Sequence, residues 1–417
     1  MSSSENCNSR HFSWLTKSCF PDSRQYNPSH QLHYPPHRPT SLSSLPDDIL
    51  VEIISRVPRS SLPSISVVCR RWSYLIDFSQ FYSLRRHRGL LHFAVFVLSF
   101  SDSGFIAATY ELANHTRWTT TTTSLSCRTS GYNDVGGLSS HARLAAIGRW
   151  VYVIGKTSML RCDAWTGTVI PRSKMSVLRK KFAVAVVSGK IYVAGGSSRT
   201  AVVEEYDPER NSWRVVCHAP RMRYGCIGAA VDGVMYVIGG LKIGGACNDD
   251  TRVGARASAS GGAHVYASSM DLYDVAARRW LRTRAVPGGG CVVAACAYGD
   301  YVYVLASHAV ELSFWRFNGC RGAGFGEWSR LKSPPLPTQV RLDGTVRFSC
   351  VGVGDDKVVL IQIMGCIDDL LRRSGRSIRG VKEALVLVYD STGDGEWSRG
   401  PDLPDLVRRA ACACVEW

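Results

Sequence analysis

The sequence predicts a mainly β protein in which one strand-rich unit recurs six times, behind a small all-α module and an N-terminal leader. From residue 90 onward, short β-branched and aromatic runs alternate with glycine turns, which is typical of an all-β domain. Residues 41–85 instead carry apolar side chains three and four residues apart, the period of an amphipathic helix. Residues 1–40 are rich in Ser, His, Asn and Pro and show neither period. We therefore expect a disordered leader at 1–40, a helical domain at 41–85 and a β domain at 90–417.

The composition is that of a globular protein with an excess of positive charge. Hydrophobic residues make up 45% of the 417 residues and charged residues 20%, and no apolar run approaches the roughly 18 residues of a membrane span. A formal charge of +16 attracts acidic proteins, nucleic acids or anionic membranes without choosing among them. The 15 cysteines include no Cys-x-x-Cys pair, whereas a zinc site needs four converging ligands. We expect free thiols in a reducing compartment, the cytoplasm or the nucleus, with no metal, no cofactor and no membrane contact.

The helical module has recognisable ends. Ser44 can cap a helix whose first turn holds Pro46, and Pro58 ends that helix. Pro63 can open a second helix. Its inner side would be lined by Ile65, Val68, Cys69, Trp72 and Ile76. The basic cluster at 85–88 is interpreted as the link to the next domain. Because short helices of this total length cannot bury a satisfactory core alone, we expect the module to bind a partner.

Residues 41–85 closely resemble the F-box, whose consensus has a Leu-Pro opening, an Ile/Leu helix, a Leu/Val-Pro corner and a Val-Cys-Lys/Arg-Arg-Trp ending. The matching elements are Leu45-Pro46, Ile49, Ile53-Ile54, Val57-Pro58, Ser61-Leu62 and Val68-Cys69-Arg70-Arg71-Trp72. Any helical hairpin can show such a period, but the ordered occurrence of all these elements favours the F-box. The resemblance implies binding to a Skp-type adaptor, which bridges to a cullin scaffold. The side chains expected at that interface are Leu45, Pro46, Ile49, Leu50, Ile53, Val57, Pro58, Leu62, Val68, Cys69 and Trp72.

The β domain contains an internal repeat. The segment FAVAVVSGKIYVAGG at 182–196 aligns with GCIGAAVDGVMYVIGG at 225–240, and both end in a double glycine. Each segment is followed by Tyr-Asp and, seven residues after the tyrosine, by a tryptophan. These pairs are Tyr206 with Trp213 and Tyr273 with Trp280. Weaker copies begin at residues 92, 144, 295 and 352, which makes six copies.

This pattern resembles kelch repeats, in which each copy forms one four-stranded blade of a β-propeller. The resemblance implies a six-bladed kelch β-propeller behind the F-box, as in the F-box/kelch-repeat proteins that are numerous in plants. The first copy lacks an innermost strand, and residues 408–417 look like the innermost strand of a further copy. We predict that this C-terminal strand pairs into the first blade and closes the ring, which removes exposed sheet edges.

One face of the propeller is expected to bind a protein target. In a four-stranded meander the turns after strands one and three lie on one face, and the turn after strand two and the connections between blades lie on the other. The second face receives the long inserts 241–266 and 366–383 and much of the positive charge, so we expect it to capture an acidic surface. The residues concerned are Arg179, Lys180, Arg221, Arg223, Arg372, Arg373, Arg376, Arg379 and Arg408. These charges could instead only keep the propeller soluble.

Together the two resemblances predict a substrate-recognition adaptor of a Skp–cullin–F-box E3 ubiquitin ligase that has no chemistry of its own. The F-box would hold the ligase and the propeller would hold the protein to be degraded, so tethering raises the local concentration of the target. An enzyme is disfavoured because the innermost-strand segments are almost wholly apolar and no Gly-x-Ser-x-Gly, His-Glu-x-x-His or phosphate-binding loop occurs in the sequence. The remaining alternative is a stand-alone kelch scaffold, against which the F-box argues. Aromatic residues at blade-core positions also disfavour nucleic-acid binding.

Overall fold

The computed structural model describes residues 42–101, 104–112, 118–123, 142–156, 158–242, 262–308, 311–336, 346–354, 356–364, 384–404 and 411–417. The chain forms two compact units, one that ends at Leu50 and one that comprises Val51–Trp417. The division of the sequence at 1–40, 41–85 and 90–417 stays a prediction. No helix within the described ranges is long and apolar enough to cross a membrane.

The first described segment of the chain contains four short α-helices. They are α1 (Asp47–Ile54), α2 (Leu62–Ser66), α3 (Arg70–Ile76) and α4 (Ser79–His87). Carboxylates of the first turn of α1 interact favourably with the positive helix end, and the helix ends before Pro58, as predicted. The single second helix expected from Pro63 is instead two helices. The chain leaves the helical path at 67–69, where the Cys69 thiol caps α3 by accepting a hydrogen bond from the Trp72 backbone N–H at 3.5 Å. Val68 and Cys69 are therefore exposed rather than on an inner side.

The described strands form six antiparallel blades that pair in sequence order, as the six repeats predict. Blade 1 contains β1 (Phe93–Ser101), β2 (Gly104–Glu111) and β3 (Thr119–Thr123). Blade 2 contains β4 (Arg143–Ile147), β5 (Trp150–Ile154), β6 (Met159–Asp163) and β7 (Val169–Arg172). Blade 3 contains β8 (Ala183–Val187), β9 (Lys190–Ala194), β10 (Val202–Asp207) and β11 (Ser212–His218).

The second half of the propeller follows the same plan with one addition. A two-stranded ladder joins β12 (Arg223–Tyr224) to β15 (Leu241–Lys242) beside blade 4. Blade 4 itself contains β13 (Ile227–Val231), β14 (Val234–Ile238), β16 (Ser269–Asp274), β17 (Arg279–Trp280) and β18 (Arg284–Ala285). Blade 5 contains β19 (Cys291–Tyr298), β20 (Tyr301–His308), β21 (Glu311–Asn318) and β22 (Trp328–Leu331). Blade 6 contains β23 (Val346–Val353), β24 (Lys357–Met364), β25 (Ala384–Asp390) and β26 (Glu396–Arg399).

The C-terminal strand completes the ring. Strand β27 (Ala411–Glu416) pairs antiparallel with β1 and supplies the innermost strand of blade 1, which is the pairing that the sequence predicts. The innermost strands of neighbouring blades then lie side by side around the centre, with β27 between β23 and β4. Main-chain hydrogen bonds to β1 therefore hold the chain that follows blade 6 within blade 1.

Neighbouring innermost strands approach so closely that glycine is required at two crossings. A Cβ added at Gly228 on β13 would lie 2.2 Å from the Val184 carbonyl oxygen on β8. A Cβ added at Gly352 on β23 would lie 2.5 Å from the Tyr298 Cβ on β19. Real Cβ atoms do not tolerate such distances, so these glycines are explained by packing between blades.

Tryptophans of the repeats join blades 3, 4 and 6 to the blade that precedes each of them. Trp213 packs on Tyr206 with ring centroids 5.1 Å apart, and its indole N–H donates to the Ser173 carbonyl oxygen at 2.7 Å. Equivalent bonds run from Trp280 to the His218 carbonyl at 2.8 Å and from Trp397 to the Lys332 carbonyl at 2.7 Å. In each case the acceptor lies at or just after the end of the outer strand of the preceding blade. The repeated tryptophan is therefore both a packing residue and a link between blades.

Trp118 makes the same link at the closure of the ring. Its indole N–H donates to the Pro401 carbonyl oxygen at 3.0 Å, which joins blade 1 to the chain that follows blade 6. We expect Trp118→Phe to lower the free energy of unfolding by about 1–2 kcal/mol, because the ring contact with Tyr110 is retained and one part-buried hydrogen bond is lost. Urea unfolding followed by fluorescence measures the change. The control is Trp315→Phe, whose indole N–H bonds only within its own strand, to Ser313 at 3.0 Å. An equal loss in both variants would contradict the closure role.

Candidate protein-interaction surfaces

In the unit that ends at Leu50, the predicted adaptor positions differ in exposure. Ile49 exposes 44% of its surface and Pro46 is also exposed, whereas Leu45 is half-buried. Leu50 is buried, and its backbone N–H donates to the Pro46 carbonyl oxygen at 3.1 Å. A buried leucine cannot contact a partner directly, so we correct the prediction for Leu50 and assign it to the support of the helix.

In the unit that begins at Val51, most of the predicted positions reach the surface. Ile53 exposes 44% and Val68 exposes 60% of its surface to solvent. Pro58 and Cys69 are exposed as well. Val57 and Trp72 are half-buried. Leu62 is fully buried at the start of α2, so it also supports the helices and is removed from the expected interface.

Three exposed apolar residues in this region escaped the sequence analysis. Val67, Tyr74 and Phe78 are all large hydrophobic side chains in water. Tyr74 lies on α3 and Phe78 directly precedes α4, and their rings form an edge-to-face pair with centroids 5.0 Å apart. The contact crosses the break between two helices, so the sequence held no periodic signal for it. Exposed apolar groups of this size mark an interaction site, so the surface of these helices fits a protein partner.

The basic cluster at 85–88 has a buried structural member. Arg85 is almost completely buried, and its guanidinium donates to the carbonyl oxygens of Ser55 (3.1 Å), Val57 (2.9 Å) and Leu90 (2.7 Å). Two of these carbonyls belong to the turn after α1, where the helix leaves backbone acceptors without helical partners. Arg85 therefore ties the end of α1 to α4 and to the start of the β domain.

Arg149 fixes α3 to the propeller. It lies in the turn between β4 and β5, is 2% exposed, and donates from Nε to Asp77 at 3.1 Å. Its guanidinium also lies 3.6 Å from Asp163 and stacks over the ring of Trp165 at 4.5 Å. Burial raises the pKa of the Asp77 carboxyl, and the Arg149 charge opposes that shift. Tyr82 of α4 completes the contact by accepting the Arg149 backbone N–H at 3.4 Å.

A second contact involves the chain before α2. Arg59 forms a two-bond ion pair with Glu111 at the end of β2, and its guanidinium lies 4.9 Å from the ring centroid of Trp417. The hydrogen bond from Arg59 lowers the pKa of Glu111. Arg86 adds an exposed ion pair with Glu416 at 2.9 Å.

These contacts identify the propeller face that the helices occupy. Arg149 lies in the turn after an innermost strand, and Glu416 lies at the end of another innermost strand. Glu111 and Asp163 end the third strands of blades 1 and 2. All four therefore lie on the face with the tight turns. The opposite face, which carries the turns after the second strands and the connections between blades, is the one we call the loop face.

Arg179, which was predicted to bind a target on the loop face, is buried instead. It is 1% exposed and donates to the Glu204 carboxylate from Nη2 at 3.0 Å and from Nε at 3.2 Å. The same guanidinium donates to the carbonyl oxygens of Gly195 at 2.8 Å and Val202 at 2.6 Å. The prediction for Arg179 is corrected, because this side chain ties the loop after β9 to β10 inside blade 3.

Arg223 repeats this arrangement in blade 4. It is 1% exposed, donates to Asp271 at 2.7 Å and to the Gly239 carbonyl oxygen at 2.8 Å. Arg221 shares the Asp271 carboxylate and is half-buried. Arg223 is therefore structural as well. The sequence held a signal for this role, since both arginines precede the first glycine of a double glycine by 16 residues.

The remaining predicted residues of the loop face divide into two groups. Lys180 is exposed, as a contact residue would have to be. Arg372, Arg373, Arg376, Arg379 and Arg408 lie outside the described residues.

Blades 3 and 4 present a surface of mixed apolar and basic character on the loop face, in which Lys181 and Tyr224 are half-buried and the other members are exposed. Lys181 accepts the Gly225 N–H through its carbonyl oxygen at 2.8 Å, and its ammonium lies 5.6 Å from the Tyr224 ring centroid. Tyr224 pairs in turn with Leu241 across the β12–β15 ladder. We call this surface the blade 3–4 patch. Its members are Leu178, Lys180, Lys181, Tyr224, Leu241, Lys242 and Val265. Leu178 and Val265 are the most exposed of its apolar members.

Comparison with known proteins agrees with this architecture. The F-box domain family matches residues 42–84, and the Kelch motif family matches residues 178–216. The F-box/kelch-repeat protein At5g26960 of Arabidopsis thaliana is 59% identical over 99% of this chain and 100% of its own length. The F-box/kelch-repeat protein At1g67480 of the same plant is 26% identical over 48% of this chain and 54% of its own length. Kelch-like protein 36 of Mus musculus is 23% identical over 66% of this chain and 42% of its own length.

An F-box helical segment followed by a kelch propeller defines an adaptor-type protein. The full-length similarity to a plant relative then decides the family. The chain belongs to the F-box/kelch-repeat proteins.

Proposed function

We propose that this protein is the substrate-recognition adaptor of a Skp–cullin–F-box E3 ubiquitin ligase in the cytoplasm or nucleus, and that it performs no catalysis itself. The observation that carries the proposal is the set of exposed apolar side chains at F-box positions in the unit that begins at Val51, among them Ile53 and Val68. Exposed apolar groups gathered on one short segment mark an interaction site. A Skp-type adaptor bound to a cullin fits this role, since residues 42–84, which carry these side chains, match the F-box domain family.

The adaptor surface can be tested with two charged substitutions. We expect Ile53→Glu combined with Val68→Glu to weaken binding of a recombinant plant Skp-type adaptor at least about 100-fold, because each buried anchor of an interface is worth about 2 kcal/mol or more. Calorimetry or surface plasmon resonance gives the dissociation constants. The variants should keep the parent's thermal midpoint, since both side chains lie at the surface.

The matched control is Ile170→Glu combined with Val215→Glu. Both of these side chains are exposed on outer strands of the propeller, on β7 and β11. The control should bind the adaptor as the parent does. If the parent itself captures neither adaptor nor cullin from plant cells, the ligase role fails and the protein is a stand-alone kelch scaffold.

We further propose that the loop face binds the protein to be ubiquitinated. The helices contact the tight-turn face through Arg149 and Glu111, which leaves the loop face for a target. The blade 3–4 patch combines the basic charge of Lys180 and Lys242 with exposed apolar groups, so it suits an acidic segment with apolar anchors. Arg372, Arg373, Arg376, Arg379 and Arg408 remain part of this proposal, on sequence grounds.

Charge reversal on the blade 3–4 patch tests the target side. Candidate targets are the proteins that this chain captures from proteasome-inhibited cells and that accumulate with the variant Ile53→Glu with Val68→Glu, which is designed not to bind the adaptor. We expect Lys180→Glu with Lys242→Glu to reduce their capture about tenfold or more, because two like-charge contacts replace attractive ones. Capture by the parent should fall as ionic strength rises. The control is Arg210→Glu with Arg279→Glu, which makes the same charge change at the other end of the same two blades, in the turn before β11 and at the first residue of β17. An identical captured set in all three proteins would overturn the assignment of the patch.

A further inference from the structure

Two cysteines from neighbouring blades meet near the centre of the propeller. Cys296 lies on β19, the innermost strand of blade 5, and Cys350 lies on β23, the innermost strand of blade 6. Their Sγ atoms are 3.2 Å apart, and both residues are free thiols. A disulfide has an S–S bond of about 2.05 Å, so the two sulfurs need to approach by only about 1 Å.

The backbone already holds the two strands at the necessary spacing. Gly352 crosses β19 so closely that an added Cβ would lie 2.5 Å from the Tyr298 Cβ. Gly352 follows Cys350 by two residues, and Tyr298 follows Cys296 by two residues, so the two cysteines share the register of closest approach. Disulfide-linked cysteines have Cα atoms about 4.4–6.8 Å apart, a separation that strands in side-by-side contact provide.

The two thiols differ in their access to solvent. Cys296 is buried in the apolar layer between blades 5 and 6, together with Tyr303, Leu305 and Leu360. Cys350 is half-buried and lies at the edge of the same layer. A small oxidant therefore reaches Cys350 first and finds the Cys296 sulfur directly behind it. Burial raises the pKa of the Cys296 thiol well above its usual value. Cys296 therefore stays protonated and does not react with the oxidant before Cys350 does.

We propose that Cys296 and Cys350 are a redox modification site, at which a peroxide oxidant produces a disulfide that staples blade 5 to blade 6. The Cys350 thiolate attacks one oxygen of hydrogen peroxide, the O–O bond breaks, and Cys350 becomes a sulfenic acid as hydroxide leaves. The Cys296 sulfur then attacks the sulfenic sulfur, so that the S–S bond forms while the S–O bond breaks and a second hydroxide leaves. The two thiol protons convert both hydroxides to water. Two thiols and one peroxide thus give one disulfide and two waters.

Other uses of this cluster have less support. Within the described ranges, no group of three or more His, Cys, Asp or Glu side chains is arranged to hold a metal ion. Cys412 on β27 is a third thiol near this pair, and burial raises its pKa to about 12. The Sγ–Sγ contact at 3.2 Å joins Cys296 to Cys350 and does not include Cys412. The proposal concerns the propeller alone and does not depend on the ligase role.

The experiment uses the full chain, reduced and then exposed to hydrogen peroxide at graded concentrations. Peptide mass mapping without reductant measures the Cys296–Cys350 linkage, and differential scanning fluorimetry measures the thermal midpoint. We expect the linked peptide in the parent, together with a rise in midpoint of about 5–10 °C, because the bond closes a loop of 54 residues in the unfolded chain. Dithiothreitol should reverse both changes.

Two control variants and one test variant complete the design. Cys291→Ser removes an exposed cysteine and Cys412→Ser removes a half-buried one, and both variants should still form the link. Cys350→Ser should form none and show no rise in midpoint, while circular dichroism shows that it folds. The proposal is overturned if peroxide oxidises Cys291 in the parent without linking Cys296 to Cys350. It is also overturned if Cys350 ends as a sulfinic acid or links to Cys412 instead.

Discussion

Replacing Arg179 with methionine is expected to lower the free energy of unfolding of the propeller by about 3–5 kcal/mol, although Arg179 belongs to a basic surface by sequence alone. Methionine fills a similar volume but leaves the Glu204 carboxylate, which is 0% exposed, without its cationic partner. Removing one member of a buried ion pair is costly because the remaining charge is left in a medium of low dielectric. A whole domain is stable by only about 5–15 kcal/mol, so a loss of this size is a large fraction of the total.

The hydrogen bonds of Arg179 to the main chain add to this effect. Methionine cannot donate to the carbonyl oxygens of Gly195 and Val202, which accept at 2.8 and 2.6 Å. Glu204 keeps the N–H of Ser176 at 2.8 Å, which compensates in part. We therefore expect Arg179→Met with Glu204→Met to recover some stability but not all of it, since the carbonyl oxygens remain without donors.

The control for Arg179 is an arginine of the same blade that reaches water. Arg214 pairs with Glu205 at 2.8 Å and exposes 56% of its side chain, whereas the Glu205 side chain is 4% exposed. Arg214→Met should cost less than Arg179→Met, because Glu205 keeps the Lys190 ammonium at 3.2 Å and the Tyr192 hydroxyl at 2.6 Å. Urea unfolding of the parent and the variants gives the comparison. If Arg179→Met unfolds like the parent yet loses captured targets, Arg179 is a surface contact after all and the buried assignment is wrong.

The sequence predicts the fold well because its main signals are local or repeated. The α1 helix follows from the spacing of apolar residues and from Pro58, and the propeller follows from repeated glycines and Tyr–Trp pairs. The role of β27 follows from a strand missing in the first copy and one left over at the end. The break between α2 and α3 was missed, because residues 67–69 contain neither proline nor glycine and only the cap at Cys69 marks the new helix.

The functional surfaces are harder to predict because exposure depends on distant residues. Arg179 and Glu204 are 25 positions apart in the sequence, and Arg223 and Asp271 are 48 apart, so only the blade geometry brings them together. Leu50 and Leu62 fit the F-box pattern as well as Ile49 and Ile53 do, yet they are buried. A sequence motif contains the residues that the fold needs and the residues that the partner contacts, and the pattern alone does not show to which group a residue belongs. The contact between Cys296 and Cys350 likewise has no local signal, since it joins two blades.

Replacing Arg149 with methionine is expected to release α3 and α4 from the propeller without unfolding either part. Arg149 is the buried centre of this contact, with Asp77 at 3.1 Å, Asp163 at 3.6 Å and the Trp165 ring at 4.5 Å. Loss of the guanidinium leaves Asp163 buried without its cation. We therefore expect the contact of α3 and α4 with the propeller to be weakened by about 3 kcal/mol, with little loss of stability within the propeller. Lysine should not restore the contact, because an ammonium lacks the planar group that stacks on the indole while Nε donates to Asp77 and the charge lies beside Asp163.

Hydrogen exchange separates this outcome from general unfolding. In Arg149→Met, the amides of α3 and α4 should exchange faster by a factor of about 100, whereas the innermost strands of the propeller should stay protected as in the parent. Arg86→Met is the matched control, since its pair with Glu416 joins the same regions but leaves Arg86 exposed and Glu416 only half-buried, and it should cost less than about 1 kcal/mol. Faster exchange throughout the propeller in Arg149→Met would mean that Arg149 supports blade 2 rather than the contact. Under the proposed ligase role, an Arg149→Met protein in which only the helices loosen should still bind the adaptor and should still capture its target. Ubiquitin transfer to the target should nevertheless fall, because transfer needs the two bound proteins at a fixed separation.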